Sequence, residues 1–334
     1  MIWLRWLAGG VGTLLVASSA CSSDPEVTKS DGTGGKAGDA GFDAASCTLG
    51  QFVCDGDTAK PCLGSGKFGD PVDCQADGKT CAAPFGCVVC VPTEQSCAGG
   101  VGKYCKNDGS AWETFECDAA QGMKCDPKGC TGACTPPSLS HSYLGCDYFP
   151  TVTLNPVWSG FDFAVAVANA GKGTANVVVT RGTTEVKKTT VAAGKLEVIA
   201  LPWVPELKGG DVDACQLPPN PGATRVVKGG AYRVRTDQPV TVYQFSPLKY
   251  EIKPVPNDCP IGSKCPGGFG SDCLAFSNDA TLLLPATTLT GSYTTVAWPS
   301  APDRAGFVAV TATRDGTEVQ LLGKGEFAAG AGID

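Results

Sequence analysis

The sequence predicts a mainly β protein: small disulfide-rich tandem repeats followed by an antiparallel β-sandwich-like domain. Three observations carry that reading. Forty-four Gly and 24 Pro, against two Met, in 334 residues favour many short strands joined by turns over long helices. The cysteines of the first third fall at repeated offsets. Beyond Cys146 the composition turns to alternating, β-branched runs separated by glycine-bearing turns.

The chain begins with "MIWLRWLAGGVGTLLVASSA", residues 1–20, in which one Arg precedes an apolar stretch and then small residues. That is the pattern of a secretory signal, too short for a transmembrane helix. Cys21 follows directly, and the junction resembles the lipobox of bacterial lipoproteins, whose first mature residue is a lipid-bearing Cys. Ser18 departs from the usual Leu of that motif. Ser22 after the Cys implies, by the same resemblance, sorting to an outer membrane. With Cys21 acylated, the other 18 cysteines are even in number, so all of them can pair. Residues 21–46 are then the attachment Cys and a linker rich in Gly, Ala, Asp and Ser. With little to bury, it is expected to be a flexible tether of roughly 25–30 Å root-mean-square reach.

From Cys47, the cysteines Cys54, Cys62, Cys74, Cys81, Cys87 and Cys90 lie at offsets 7, 15, 27, 34, 40 and 43. From Cys90, the cysteines Cys97, Cys105, Cys117, Cys125, Cys130 and Cys134 lie at 7, 15, 27, 35, 40 and 44. Seven positions agreeing within one residue define two tandem copies, assigned to residues 47–89 and 90–134, with Cys134 closing the second. The first holds just nine Val, Leu or Phe and no Ile, Trp, Tyr or Met, too few to offset the entropy of ordering the chain. Disulfides acting on the unfolded state are expected to make up the difference, and an exported chain is where they persist. Cys87 and Cys90 form a C-x-x-C that also suits zinc. The second copy spaces that pair differently and neither copy contains His, so disulfides are the stronger reading. Spacing does not choose among the possible pairings.

Residues 135–145 read as a linker and 146–334 as the β domain. Its expected strands are 161–169, 176–180, 196–202, 232–236, 240–247, 280–285, 293–298, 307–313 and 318–322, by alternation and β-branching. Asp315-Gly316 is a tight-hairpin signal. Cys146, Cys215, Cys259, Cys265 and Cys273 complete the disulfide framework. Thr180-Arg181 with Glu185-Val186 recurs 133 residues on as Thr313-Arg314 with Glu318-Val319, and Ala192-Ala193-Gly194 is echoed at Ala328-Ala329-Gly330. The echo suggests two related halves, the second of which is expected to be incomplete at Asp334.

A net charge of −7 offers no basic surface to nucleic acid. The single histidine, His141, sits at the junction of the two regions, where a catalytic triad would lack rigid support. Asp55 with Asp57, and Asp211 with Asp213, fall short of a Ca²⁺ loop and read as solvated turn carboxylates. No cofactor, metal or catalytic residue is therefore expected. The connection 249–278 is unusually long for a β domain, as functional loops are. Cys259, Cys265 and Cys273, with Cys215, are placed to pin it, which would lower the cost of ordering it on a partner or simply guard it from proteolysis.

The runs "GCDYFPTVTLN" (145–155), "GFDFAVAVANAG" (160–171), "LPWVPELKG" (201–209), "YRVRTDQPVTVYQFSPL" (232–248) and "SNDATLLLPATTLTGSY" (277–293) resemble the N-terminal domain of IgGFc-binding proteins. The likeness extends over residues 141–334, and is nearest to myxobacterial-type secreted lipoproteins that carry this domain after cysteine-rich repeats. It implies a β fold and a non-enzymatic binding role, with no catalytic residues to transfer. The expectation is an exported, cell-surface outer membrane lipoprotein presenting a β domain for adhesion to an extracellular protein or glycan, held to the membrane by its lipid. A structural envelope component without a discrete ligand is the alternative, and a secreted hydrolase ranks below both.

Overall fold

A computed structural model describes residues 47–139, 142–211, 223–260, 272–275, 278–297, 306–323 and 328–330. The described chain is mainly β and its sheets are antiparallel.

The two cysteine-rich copies are built alike. In the first, Phe52–Asp55 pairs with Thr58–Gly64 and Thr80–Ala82 with Gly86–Val88. In the second, Gln95–Ala98 pairs with Val101–Cys105 and Lys124–Asp126 with Gly129–Thr131. Between the hairpins each copy places a short 3-10 turn capped at its start by an aspartate. Asp73 accepts from the Gln75 N–H and Asp118 from the Ala120 N–H. Each turn ends on a left-handed glycine, Gly78 or Gly122.

Three disulfides hold each copy, and their order is the same. The first copy joins Cys47–Cys62, Cys54–Cys81 and Cys74–Cys87. The second joins Cys90–Cys105, Cys97–Cys125 and Cys117–Cys130. The C-x-x-C pair is thus divided, with Cys87 bonded inside the first copy and Cys90 inside the second. Cys134 does not close the second copy as its spacing suggested. It bonds to Cys146, occupying the opening position of a third period whose partner is supplied by the β domain.

The β domain is two sheets that share one bent strand. One sheet runs β4 (Thr184–Val191), β3 (Ala175–Arg181), β6 (Tyr232–Ser246) and β1 (Gly145–Tyr148). The other runs β5 (Lys195–Leu201), β2 (Phe163–Asn169), β6 again and β9 (Asp279–Leu282). A one-turn helix α1 (Pro205–Lys208) follows β5, and the small pair β7 (Glu251–Ile252) and β8 (Cys273–Leu274) lies in the insertion after β6.

Strand β6 passes from one sheet to the other at residues 236–239. Asp147 of β1 faces Arg235 and Gly145 faces Val240, so the residues between loop out opposite Cys146 as a wide bulge. Pro239, which has no N–H, falls in that bulge and costs no ladder bond. This is why one strand stands where the sequence suggested two.

The inner faces of both sheets meet in one core. Phe163, Val165 and Val167 of β2, Val177 and Val179 of β3, Ile199 and Leu201 of β5, and Tyr232, Val234, Val240 and Val242 of β6 are all buried in it. Antiparallel sheets packed through alternating inward side chains form a sandwich. Tyr148, fully buried, satisfies its hydroxyl against the carbonyls of Val240 and Tyr143, and burial pushes its phenol above the ordinary range.

Strands β1, β4, β7 and β8 were not anticipated. The exposed, polar face of β4 hid its period, and the other three are two to four residues long. Conversely, the described residues of 293–298, 307–313 and 318–322 form no strand. The Asp315-Gly316 turn is made, with Gly316 at φ +74° and the Thr317 hydroxyl donating to Arg314 O. Its flanks find no ladder partner among the described residues, and they leave Phe307, Val310, Val319 and Leu322 exposed. Alternation marks a chain able to be a strand, but a neighbour must accept its hydrogen bonds. The echo with 180–186 is therefore a paired hairpin in the first instance and an isolated turn in the second.

Candidate functional site

The two rims of the sandwich are used differently. At one rim the second cysteine-rich copy is fastened. Besides the Cys134–Cys146 bond, Asp118 caps its own 3-10 turn with one carboxylate oxygen and pairs with Arg235 through the other, at 3.0 Å. Gln121 Nε2 donates to Cys146 O at 3.2 Å. Gly122 is held at φ +66°, and a Cβ there would stand 2.9 Å from the Cβ of Asp237. Only glycine satisfies both the left-handed backbone and that approach.

At the opposite rim five connections converge: residues 155–162 before β2, the β3–β4 turn, residues 202–211 after β5, residues 227–231 before β6, and the start of the insertion after β6. They are bonded to one another. Leu248 N donates to Asp162 O, Asn155 N to Lys208 O, and Asn155 Nδ2 to Ser246 O. Trp203 Nε1 donates to Phe161 O at 2.6 Å, and Arg181 Nε to Gly229 O at 3.0 Å.

The long connection singled out in the sequence rises from this rim. Its base is stapled by Cys259–Cys273 and by the pairing of β7 with β8. An apolar cluster of Val157, Phe161, Cys259, Cys273 and Ala275, joined by Trp158, Trp203 and Ile252, docks it onto the sandwich. Trp203 also touches the main core beside Phe163, at 5.6 Å between rings, so one indole links insertion and sandwich. Residues 261–271, with Cys265, and residues 212–222, with Cys215 and Asp213, lie outside the described residues, as do Cys21 and His141.

Lys208 is almost wholly buried beneath this rim. Its Nζ lies 2.7 Å from Asp211 Oδ1 and 5.4 Å from the centre of the Trp203 ring. Asp211 in turn accepts from the Ser159 N–H and hydroxyl, at 3.0 and 2.6 Å. Burial works to raise the Asp211 carboxyl, but the hydrogen bonds from Lys208 and Ser159 outweigh it and hold the group below its ordinary value. Asp211 therefore fastens the 155–162 loop to α1. The first-copy carboxylates are also engaged: Asp55 pairs with Lys60 at 2.9 Å, and Asp57 accepts from Gln75 and Thr80. Among the described residues no three His, Cys, Asp or Glu side chains converge as a metal site.

Two concavities open between the converging loops, one on each side of Pro202. The smaller, about 360 Å³, is lined by Ser159, Phe161, Asp162, Leu201 and Trp203. The larger, about 520 Å³, is lined by Arg181, Thr183, Thr184, Val186, Lys228 and Tyr232. Neither is legible in the sequence, because their walls come from segments up to 51 residues apart. The quoted runs contain Phe161, Asp162, Trp203 and Tyr232, and the hairpin echo contains Arg181, but nothing in them marks a hollow. A rim of loops on a rigid sandwich, with aromatic and hydroxyl groups around shallow hollows, is suited to holding a ligand.

No curated protein and no solved structure matches the chain. Residues 279–334 match a family model described as IgGFc binding protein; the match begins at the first residue of β9, and residues 145–278, which carry most of the motifs quoted above, lie outside it. The chain from β9 onward is thus similar to the IgGFc-binding family.

Proposed function

We propose that this is an exported surface lipoprotein, anchored through a lipid on Cys21, in which the residue 21–46 tether and the two cysteine-rich copies hold the sandwich away from an outer membrane. Its free rim of loops then binds an extracellular protein or glycan in adhesion, without catalysis. The observation that carries this reading is the division of labour between the rims: the second copy joins at residues 118–122 and through the Cys134–Cys146 bond, while the loops and both concavities gather at the other end. A module presented on a stalk needs this polarity, because its binding loops must point away from the attachment. The similarity of residues 279–334 to the IgGFc-binding family supports a binding role over an enzymatic one.

The test uses the full chain purified under oxidising conditions and exposed to envelope and matrix polymers. Saturable binding is expected, weakened when residues 261–271 are replaced by a short Gly-Ser linker that leaves Cys259–Cys273 intact. Absence of saturable binding to any of these polymers would favour a structural envelope component. Hydrolysis of a polymer abolished by one carboxylate substitution would overturn the non-enzymatic reading.

A further inference from the structure

The larger concavity gathers two cations without a carboxylate among its lining residues. The protein carries a net charge of −7, yet this hollow presents Arg181 and Lys228 and no carboxylate among its lining residues. Elsewhere in the sandwich Arg233 is paired with Asp147, Arg235 with Asp118 and Lys208 with Asp211. Arg181 and Lys228 make no ion pair among the described residues.

Their placement follows from the fold. Arg181 is the last residue of β3, in register with Thr184 across the β3–β4 turn and with Tyr232 at the start of β6. Its Nε is tied to Gly229 O, which fixes the guanidinium across the two turns. Gly182 and Gly229 take the left-handed backbone of those turns, at φ +57° and +61°, a conformation that favours glycine. Lys228 stands exposed on the lip. The concavity also has apolar lining residues. They are Val186, Pro202 and the buried Tyr232 ring, whose hydroxyl donates to Pro202 O. Thr183 and Thr184 add hydroxyls that can both donate and accept.

Apolar groups with cations and hydroxyls beside them complement a sugar ring bearing an anion, whose C–H face can lie against Val186 and Pro202 while its carboxylate or sulfate meets Arg181. We propose that the concavity between the β3–β4 turn and residues 228–229 binds an acidic saccharide unit, a uronate or a sulfated sugar, with Arg181 and Lys228 as the anion-binding pair. The inference rests on the adhesion reading and names its ligand chemistry. Paired hydroxyls beside the cations favour a polyhydroxylated ligand over an acidic peptide.

The experiment titrates the oxidised full chain with polyuronate oligosaccharides and with dextran sulfate, using neutral dextran and polyglutamate as comparisons. Binding to the acidic saccharides is expected to exceed that to neutral dextran. It should weaken by about tenfold or more in R181Q/K228Q, consistent with the loss of charge-assisted hydrogen bonds, and partly in K228Q alone. K228Q removes a charge without touching any bond of the fold. The control K187Q/K188Q deletes two exposed lysines of β4 and should stay within about twofold of wild type, as rim charges away from a contact do. Equal losses in the two double variants would reduce the effect to diffuse attraction and overturn the site. So would unchanged affinity in R181Q/K228Q, or polyglutamate binding as tightly with the same dependence. If R181Q/K228Q still holds matrix polymers like wild type, this site falls and the adhesion reading stands; if wild type holds no polymer at all, both fall.

Discussion

The cysteine-rich copies and the sandwich solve the same problem with different atoms. Both are antiparallel β structure. In the copies, the buried apolar side chains are mostly sulfur: Cys62, Cys74, Cys90, Cys97, Cys105 and Cys130, helped by Ala59, Ala82, Val88 and Met123. In the sandwich, sixteen buried residues form one cluster dominated by Val, Ile, Leu, Phe and Tyr, and not one of them is Cys. The difference teaches where specificity sits. A hydrocarbon core needs shape-matched side chains along every strand, whereas a disulfide needs two backbone positions at the right separation. The copies can therefore drift in sequence between their sulfurs, and the sandwich cannot drift along its inner faces.

The largest test of this contrast is reduction. With dithiothreitol, residues 47–134 should lose their fold and become the first segment cut in limited proteolysis read by mass spectrometry, while the sandwich strands stay protected. Protease-resistant copies in the fully reduced chain would break the comparison. Next is the core. Phe163 is fully buried against Trp203 and Tyr232, with ring centres at 5.6 and 6.1 Å. Phe163→Ala should cost about 3–5 kcal/mol in urea unfolding of the sandwich and leave the six disulfides of the copies unaltered in a peptide map. The smallest effect is at the loop rim. Because the folded Asp211 carboxyl is held below its ordinary value, its contribution is present above about pH 4, near the unfolded value, and is lost as pH falls through the folded one. Urea midpoints measured by tryptophan fluorescence should drop along that acid limb, and Asp211→Asn should flatten it.

Much of this architecture was open to reading in advance. Strands β2, β3, β5 and most of β6 were legible because their inner faces alternate in β-branched and aromatic residues. The period of the copies was legible because nothing but cysteine recurs at those offsets. What stayed hidden has physical reasons. The order of disulfides within a copy depends on which strands the hairpins bring side by side. Cys134 looked like the close of the second copy because its offset continues the period; its bond to Cys146 depends on β1 lying beside the 3-10 turn at 119–121. Strand β4 lacked a hydrophobic signature because it is a sheet edge facing solvent, where lysines are favoured. The concavity of Arg181 and Lys228 is assembled from two turns that approach only in the fold.

The sequence alone determined the β character of the chain, its division into sulfur-held and hydrocarbon-held parts, and the turns, because these rest on local composition and on spacing along the backbone. Only the tertiary structure decided the pairing of sulfurs, the crossing of β6 between sheets, and the opposition of the cysteine-rich attachment and the loop rim. Each of these depends on which distant residues are brought within a few ångströms, and no periodicity along a single chain encodes that.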